Sequence, residues 1–205
     1  MNGIISKIVY AVIFAAAFAG AKYGYDQYVK RKAVVKAERV MEQTRKDGIE
    51  KNPNMPAGEA HRREAVAVST ANIAAQPNDK KRFLTAASTF MGFYLVNARE
   101  RLDYCRERGV DATPFAAAFE DVHRSELAVA RAGLAEAAVK EEELYKMLQP
   151  QFRKTIVEDM NDMAASQKLS VKQACELIAE NGKEFAVEMH ISKSQPAVYQ
   201  VLTKR

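Results

Sequence analysis

Glu120 and His123 are the residues whose spacing most suggests chemistry. Glu-x-x-His sets a carboxylate and an imidazole on one helix face, and that pair is half of the set that di-iron helical bundles use. A complete site of that kind needs a second Glu-x-x-His and two more glutamates on facing helices. Glu59-Ala60-His61 and Glu188-Met189-His190 have the wrong spacing to supply it. Glu120 and His123 therefore stand as the metal candidates of an alternative reading, a metal-dependent bundle enzyme, while the leading reading has no metal and no cofactor. His61 falls in a charged helical turn. His190 falls near the end of a short helix, where an imidazole meets terminal carbonyls favourably.

The two cysteines, Cys105 and Cys175, form no CxxC, so thioredoxin-like redox chemistry and common zinc sites lack their motif. Both fall on inward helix faces. Two readings stay open: buried thiols acting as small apolar residues, or a disulfide in an oxidising compartment. Glu141-Glu142-Glu143 are consecutive and point in different directions on a helix, which suits solvated surface better than a shared metal. There is no G-x-S-x-G elbow, no phosphate-binding glycine loop and no dinucleotide fingerprint. With no nucleophile and base marked out, the reading leans away from an enzyme.

The elements that hold these residues begin with an apolar run, Ile8 to Ala21, flanked by Lys7 and Lys22. Its fourteen residues fall short of the roughly twenty that span a bilayer, but Gly3 to Lys7 extend it. The expectation is a single N-terminal membrane helix, anchored by Ile8, Val12, Phe14 and Phe18, with Tyr23 and Tyr25 as an interfacial belt. Ala19-Gly20-Ala21 also matches a cleavage site, so a signal peptide is the alternative. The expected location is a bacterial inner membrane with the body leaning to the periplasmic side, or cleavage and release into the periplasm.

Charge is distributed unevenly. From Lys22 to Asp47 eight basic residues face four acids, while residues 48–205 hold equal numbers of each. A neutral body lacks the basic face that phosphate backbones require, so no nucleic-acid partner is expected. Membrane lipid and a protein of unknown identity are the expected partners. The small-residue spacing Ala16, Gly20, Gly24 leaves a homo-oligomer open.

Periodicity predicts an all-α protein: a membrane segment or signal peptide over 1–28, a basic helix over 29–47 ending at Asp47-Gly48, a linker over 48–58, and a helical bundle over 59–205. The bundle is built on a long αα-hairpin. Leu84, Ala87, Met91, Tyr94, Ala98, Leu102 and Cys105 share one face of a helix from about 79 to 108. Gly109 supplies its left-handed stop. Thr113-Pro114 opens the return arm, with Thr113 as cap, which runs toward Gln149 and breaks near Gly133 if at all. Pro150 and Pro196 begin further helices, and Ser170-x-x-Gln173 forms a capping box. The functional expectation is a non-catalytic, membrane-attached interaction or assembly protein of a bacterial envelope. The alternative is an exported small-molecule or lipid binder with a cavity lined by Phe, Tyr and Met.

Overall fold

The computed structural model describes residues 26–204, and all regular structure among them is helical. Helix α1 (Asp26–Lys51) and α2 (Ala57–Ala74) form the first hairpin. α1 does not stop at Gly48. A Cβ there would lie 2.5 Å from the Ala60 carbonyl oxygen, so this glycine serves the close approach of two helices. The helix ends one turn later, where Asn52 donates to the Gly48 carbonyl from both its backbone and its side chain.

Asn78 caps α3 (Asp79–Tyr94) by accepting from the Lys81 amide at 3.0 Å. The helix then passes through a π-helical turn, Leu95–Glu100, into α4 (Arg101–Arg106), giving one long joined helix. Gly109, at φ +74°, ends it. The Val110 amide reaches back to the Cys105 carbonyl at 3.1 Å, and Val110 is buried against the core. The π turn widens the helix, so the buried face beyond it includes Tyr104, while Leu102 is only partly buried.

The return arm is two helices, α5 (Thr113–Val122) and α6 (Arg124–Glu136), which pack on the π turn and on α3. The N-cap position is Ala112 rather than Thr113, which is already in the helix, and the Asp111 carboxylate accepts from both the amide and the hydroxyl of Thr113. The arm breaks at His123, not at Gly133, and ends well short of Gln149. α7 (Glu141–Gln167) runs straight through Pro150. Leu144, Tyr145 and Leu148 before the proline and Phe152 and Ile156 after it are buried in one core, and this packing carries the helix across the missing amide. The capping box of Ser170 and Gln173 opens α8 (Val171–Glu180), followed by α9 (Gly182–Glu188), α10 (Ile191–Ser194) and α11 (Pro196–Thr203).

Phe90, Met91, Leu95, Phe115, Phe119, Leu144, Ile156 and Met160 are fully buried at the centre of the bundle. The α1–α2 hairpin docks differently. α2 buries Gly58, Ala60, Glu64, Asn72 and Ile73, only one of them a large apolar residue. Carboxylates of α7 hold it instead: Glu158 pairs with Arg45, Asp159 with Arg62, and Asp162 accepts from the Gly58 amide. His61 lies 3.7 Å from Glu158, and burial holds its imidazole below the usual histidine range despite that carboxylate.

The membrane-bound architecture expected from the sequence is corrected. Among the described residues no helix is long and apolar enough to cross a membrane. The helix that begins at Asp26 takes in Lys30-Arg31-Lys32, so those charges lie within a continuous polar helix. The anchor residues Ile8, Val12, Phe14, Phe18, Tyr23 and Tyr25, the cleavage-like Ala19-Gly20-Ala21 and the Ala16, Gly20, Gly24 spacing lie outside the described residues. Attachment to lipid, a signal peptide, an inner-membrane or periplasmic location and an envelope-assembly role all rested on that span. The finding that replaces them is an all-α helical bundle with a long joined helix over 79–106.

Candidate functional site

The metal pair expected from Glu-x-x-His does not form. Glu120 accepts from the Tyr94 hydroxyl at 2.9 Å. His123 is fully buried, and both its nitrogens are engaged. Nδ1 is 2.8 Å from the Phe119 carbonyl, which can only accept, so Nδ1 carries the hydrogen. Nε2 accepts from the Ile191 amide at 3.0 Å. No lone pair is left for a cation, and among the described residues no group of His, Cys, Asp and Glu could hold a metal ion. The metalloenzyme alternative is thereby corrected. Cys105 and Cys175, both fully buried, are joined by a disulfide that links α4 to α8.

A different set of residues is brought together, along the seam between the π turn with α4 and helix α7. On α7 Glu142, Tyr145, Gln149 and Arg153 recur at steps of three and four, so they share a face. Opposite them stand Arg99, Glu100, Asp103 and Glu107. Arg99 forks onto Glu142 at 2.6 and 3.3 Å and lies 3.7 Å over the Tyr145 ring. Glu100, with no exposed surface, accepts from Tyr145 Oη at 2.8 Å and pairs with Arg153 Nε at 2.8 Å. Arg153 continues to Glu107, and Tyr145 lies 3.2 Å from Asp103. Burial and the hydrogen bond to Glu100 push the Tyr145 phenol well above its usual range.

The chain's next residue, Arg101, is buried too and bonds Asn97 and Asp159. Burial, with Arg62 nearby, pulls its guanidinium down to about 10, still charged at neutral pH. The seam therefore meets α7 through two opposite charges made consecutive by the helix.

No protein-family model, curated protein or solved structure matches the chain.

Where the seam reaches the surface it opens into a cleft of about 390 Å³, lined by Asp103, Arg106, Glu107, Gln149 and Arg153. Two helix irregularities lie beside it: the π turn precedes Asp103, and Pro150 follows Gln149. π turns inserted in α-helices occur often at functional sites. The cleft is open and charged, unlike the enclosed apolar pocket that holds a small molecule or lipid tail. Phe and Met, among the residue types expected to line such a pocket, fill the core instead at Phe90, Phe115, Phe119, Met91 and Met160. The ladder is present in the sequence as a polar stripe on each helix, but nothing local says that these two stripes meet.

Proposed function

We propose that the domain recognises a mixed-charge helical segment of another protein at the cleft between α4 and α7. One observation carries the reading: the fully buried Glu100 is paired with a half-buried Arg153 that lines an open cleft whose walls carry both signs of charge. A buried ion pair is weak evidence for stability, because apolar residues of similar volume serve as well or better. Its presence is better explained by the outer charges beside it: Arg153 also pairs with Glu107, and Asp103 pairs with Arg106 at 3.0 Å. Asp103, Arg106 and Glu107 stand three and four residues apart on one helix face, and their side chains are 39, 62 and 56 % exposed. A partner helix with a carboxylate and an ammonium group at the same spacing meets Arg106 with one and Asp103 and Glu107 with the other.

The test is an amide-shift titration of the full chain with a helical peptide carrying Glu and Lys four residues apart, against a scrambled peptide of equal composition. The expected result is saturable shifts at Asp103, Arg106, Glu107, Gln149 and Arg153, weakened by salt and absent from Arg106→Glu/Glu107→Lys. Equal shifts with the scrambled peptide, or shifts that the double variant leaves intact, remove the reading.

A further inference from the structure

His123 lies between α5 and α6 and His190 precedes α10, yet their rings stack at 4.8 Å between centroids and 8° between planes. Each ring bonds the backbone beside the other. His123 Nε2 accepts from the amide of Ile191, the residue after His190. His190 Nε2 lies 3.1 Å from the carbonyl of Val122, the residue before His123, and donates to it. The remaining nitrogens are used locally. His123 Nδ1 donates to Phe119, while His190 Nδ1 accepts from the Ser192 amide at 3.2 Å and lies 2.8 Å from the Ser192 hydroxyl. Each imidazole thus has one donating and one accepting nitrogen, the pattern of the neutral ring alone.

We propose that this pair is an acid-sensitive clasp that holds α10 and α11 on the bundle and loosens them when His123 is protonated. A proton on His123 Nε2 would face the Ile191 amide, donor against donor, in a fully buried site. Losing that bond leaves the first amide of α10 without its acceptor. α10 has four residues, and α11 behind it reaches the core through Val198 and Leu202, packing on α3 and α6.

The surroundings of His123 favour the neutral ring. α3 presents Phe90 and Phe93, and α5 presents Phe119. From α10's side comes His190, whose proton would repel a second one, and Tyr199 of α11 stands edge-on to His190. Among the described residues, the carboxylate that meets the pair is Glu126 of α6, 4.0 Å from His190 Nε2. It is closer to relieving a charge on His190 than on His123. Burial, with His190 adding to it, holds the His123 imidazole below its ordinary range. The unfolded or opened segment therefore takes up the proton more readily than the closed one. The clasp is closed above the ordinary histidine value near 6.5 and opens as pH falls through and below it.

The experiment is amide hydrogen exchange of the full chain, corrected for intrinsic rates, from about pH 7.5 to about pH 5.5. Expected is a loss of protection in 190–203 of up to roughly tenfold per pH unit for one linked proton, with 79–106 holding its protection. In His123→Met the same segment should lose most of that pH dependence, His190 being the imidazole that remains in the clasp. Should that variant fail to fold, the imidazole resonances of the unmodified chain decide: His123 must titrate over the pH range in which 190–203 opens. Unchanged protection in 190–203, uniform loss across the bundle, or a pH dependence equally steep in His123→Met overturns the clasp.

Discussion

Glu100 and Arg101 are neighbours in the chain, carry opposite charges, and are both buried against the same helix. Glu100 faces Tyr145 and Arg153, and Arg101 faces Asp159 and Met160, so the end of the π turn is bolted to two stretches of α7. Arg101 Nε has no hydrogen-bond partner among the described residues, which adds to its burial cost. Arg101→Ala is expected to cost about 3 kcal/mol, near the low end for a broken buried pair, because Asp159 keeps Arg62. Arg101→Met keeps the volume beside Met160 and removes the charge, so it should cost clearly less. Urea midpoints at constant slope measure both. Equal losses would mean that the lost pairing with Asp159, not packing, governs this position.

Two glycines should respond with opposite signs. A Cβ at Gly92, within α3, meets nothing within 4 Å. Gly92→Ala should therefore gain about 0.5–1 kcal/mol from helix propensity alone. A Cβ at Gly182 would lie 2.8 Å from the backbone N and Cα of Phe115, where α9 meets α5. Backbone does not yield as a side-chain tip does, so Gly182→Ala should lose about 1–3 kcal/mol. Thermal midpoints of the two variants check the pair; a stabilised Gly182→Ala would show that α9 and α5 do not touch there.

What the sequence makes legible is local chemistry. Gly109 stops a helix, Ser170 and Gln173 cap one, and Pro196 starts one, because each effect acts within a few residues. Tertiary contacts settle the remainder. The helix passes Pro150 because residues on both sides share a core, and Gly48 lies inside a helix because Ala60 needs its space. At the break, His123 accepts from Ile191, sixty-eight residues away, and no spacing rule reaches that far. Glu-x-x-His reads as a ligand pair until the fold consumes both imidazole nitrogens. The inward faces of Cys105 and Cys175 are visible in periodicity, but their meeting is set by where α8 lands. Of the seam, each stripe is readable and the pairing is not.

The disulfide closes a loop of 70 residues between α4 and α8. In the chain-entropy account a loop of that length stabilises the fold by about 4 kcal/mol. Cys105→Ala/Cys175→Ala should lower the denaturation midpoint by that order while leaving the far-ultraviolet helix signal intact. Because neither cysteine is exposed, reductant should act on the native protein only as fast as the region opens. An unchanged midpoint in the double variant would mean that the bond adds no constraint beyond what the packed core already imposes.

Tyr94 links the two arms of the central hairpin by donating to Glu120. Burial, and then this hydrogen bond, push its phenol up to about 12, against 10.0 for a free tyrosine. The folded chain keeps this proton at pH values where the unfolded chain has released it. Stability is therefore full below about pH 10 and falls as pH rises toward about 12. Tyr145 is displaced in the same direction by burial and Glu100. Tyr94→Phe should accordingly lessen the alkaline slope of stability, and Tyr94→Phe/Tyr145→Phe should flatten most of it. At neutral pH, Tyr94→Phe loses only one hydrogen bond to an exposed carboxylate, about 1 kcal/mol or less. Urea midpoints at about pH 8 and about pH 11 separate the two effects. An alkaline slope that survives the double variant intact would place the titrating groups elsewhere and leave the Tyr94–Glu120 bond without influence on folding.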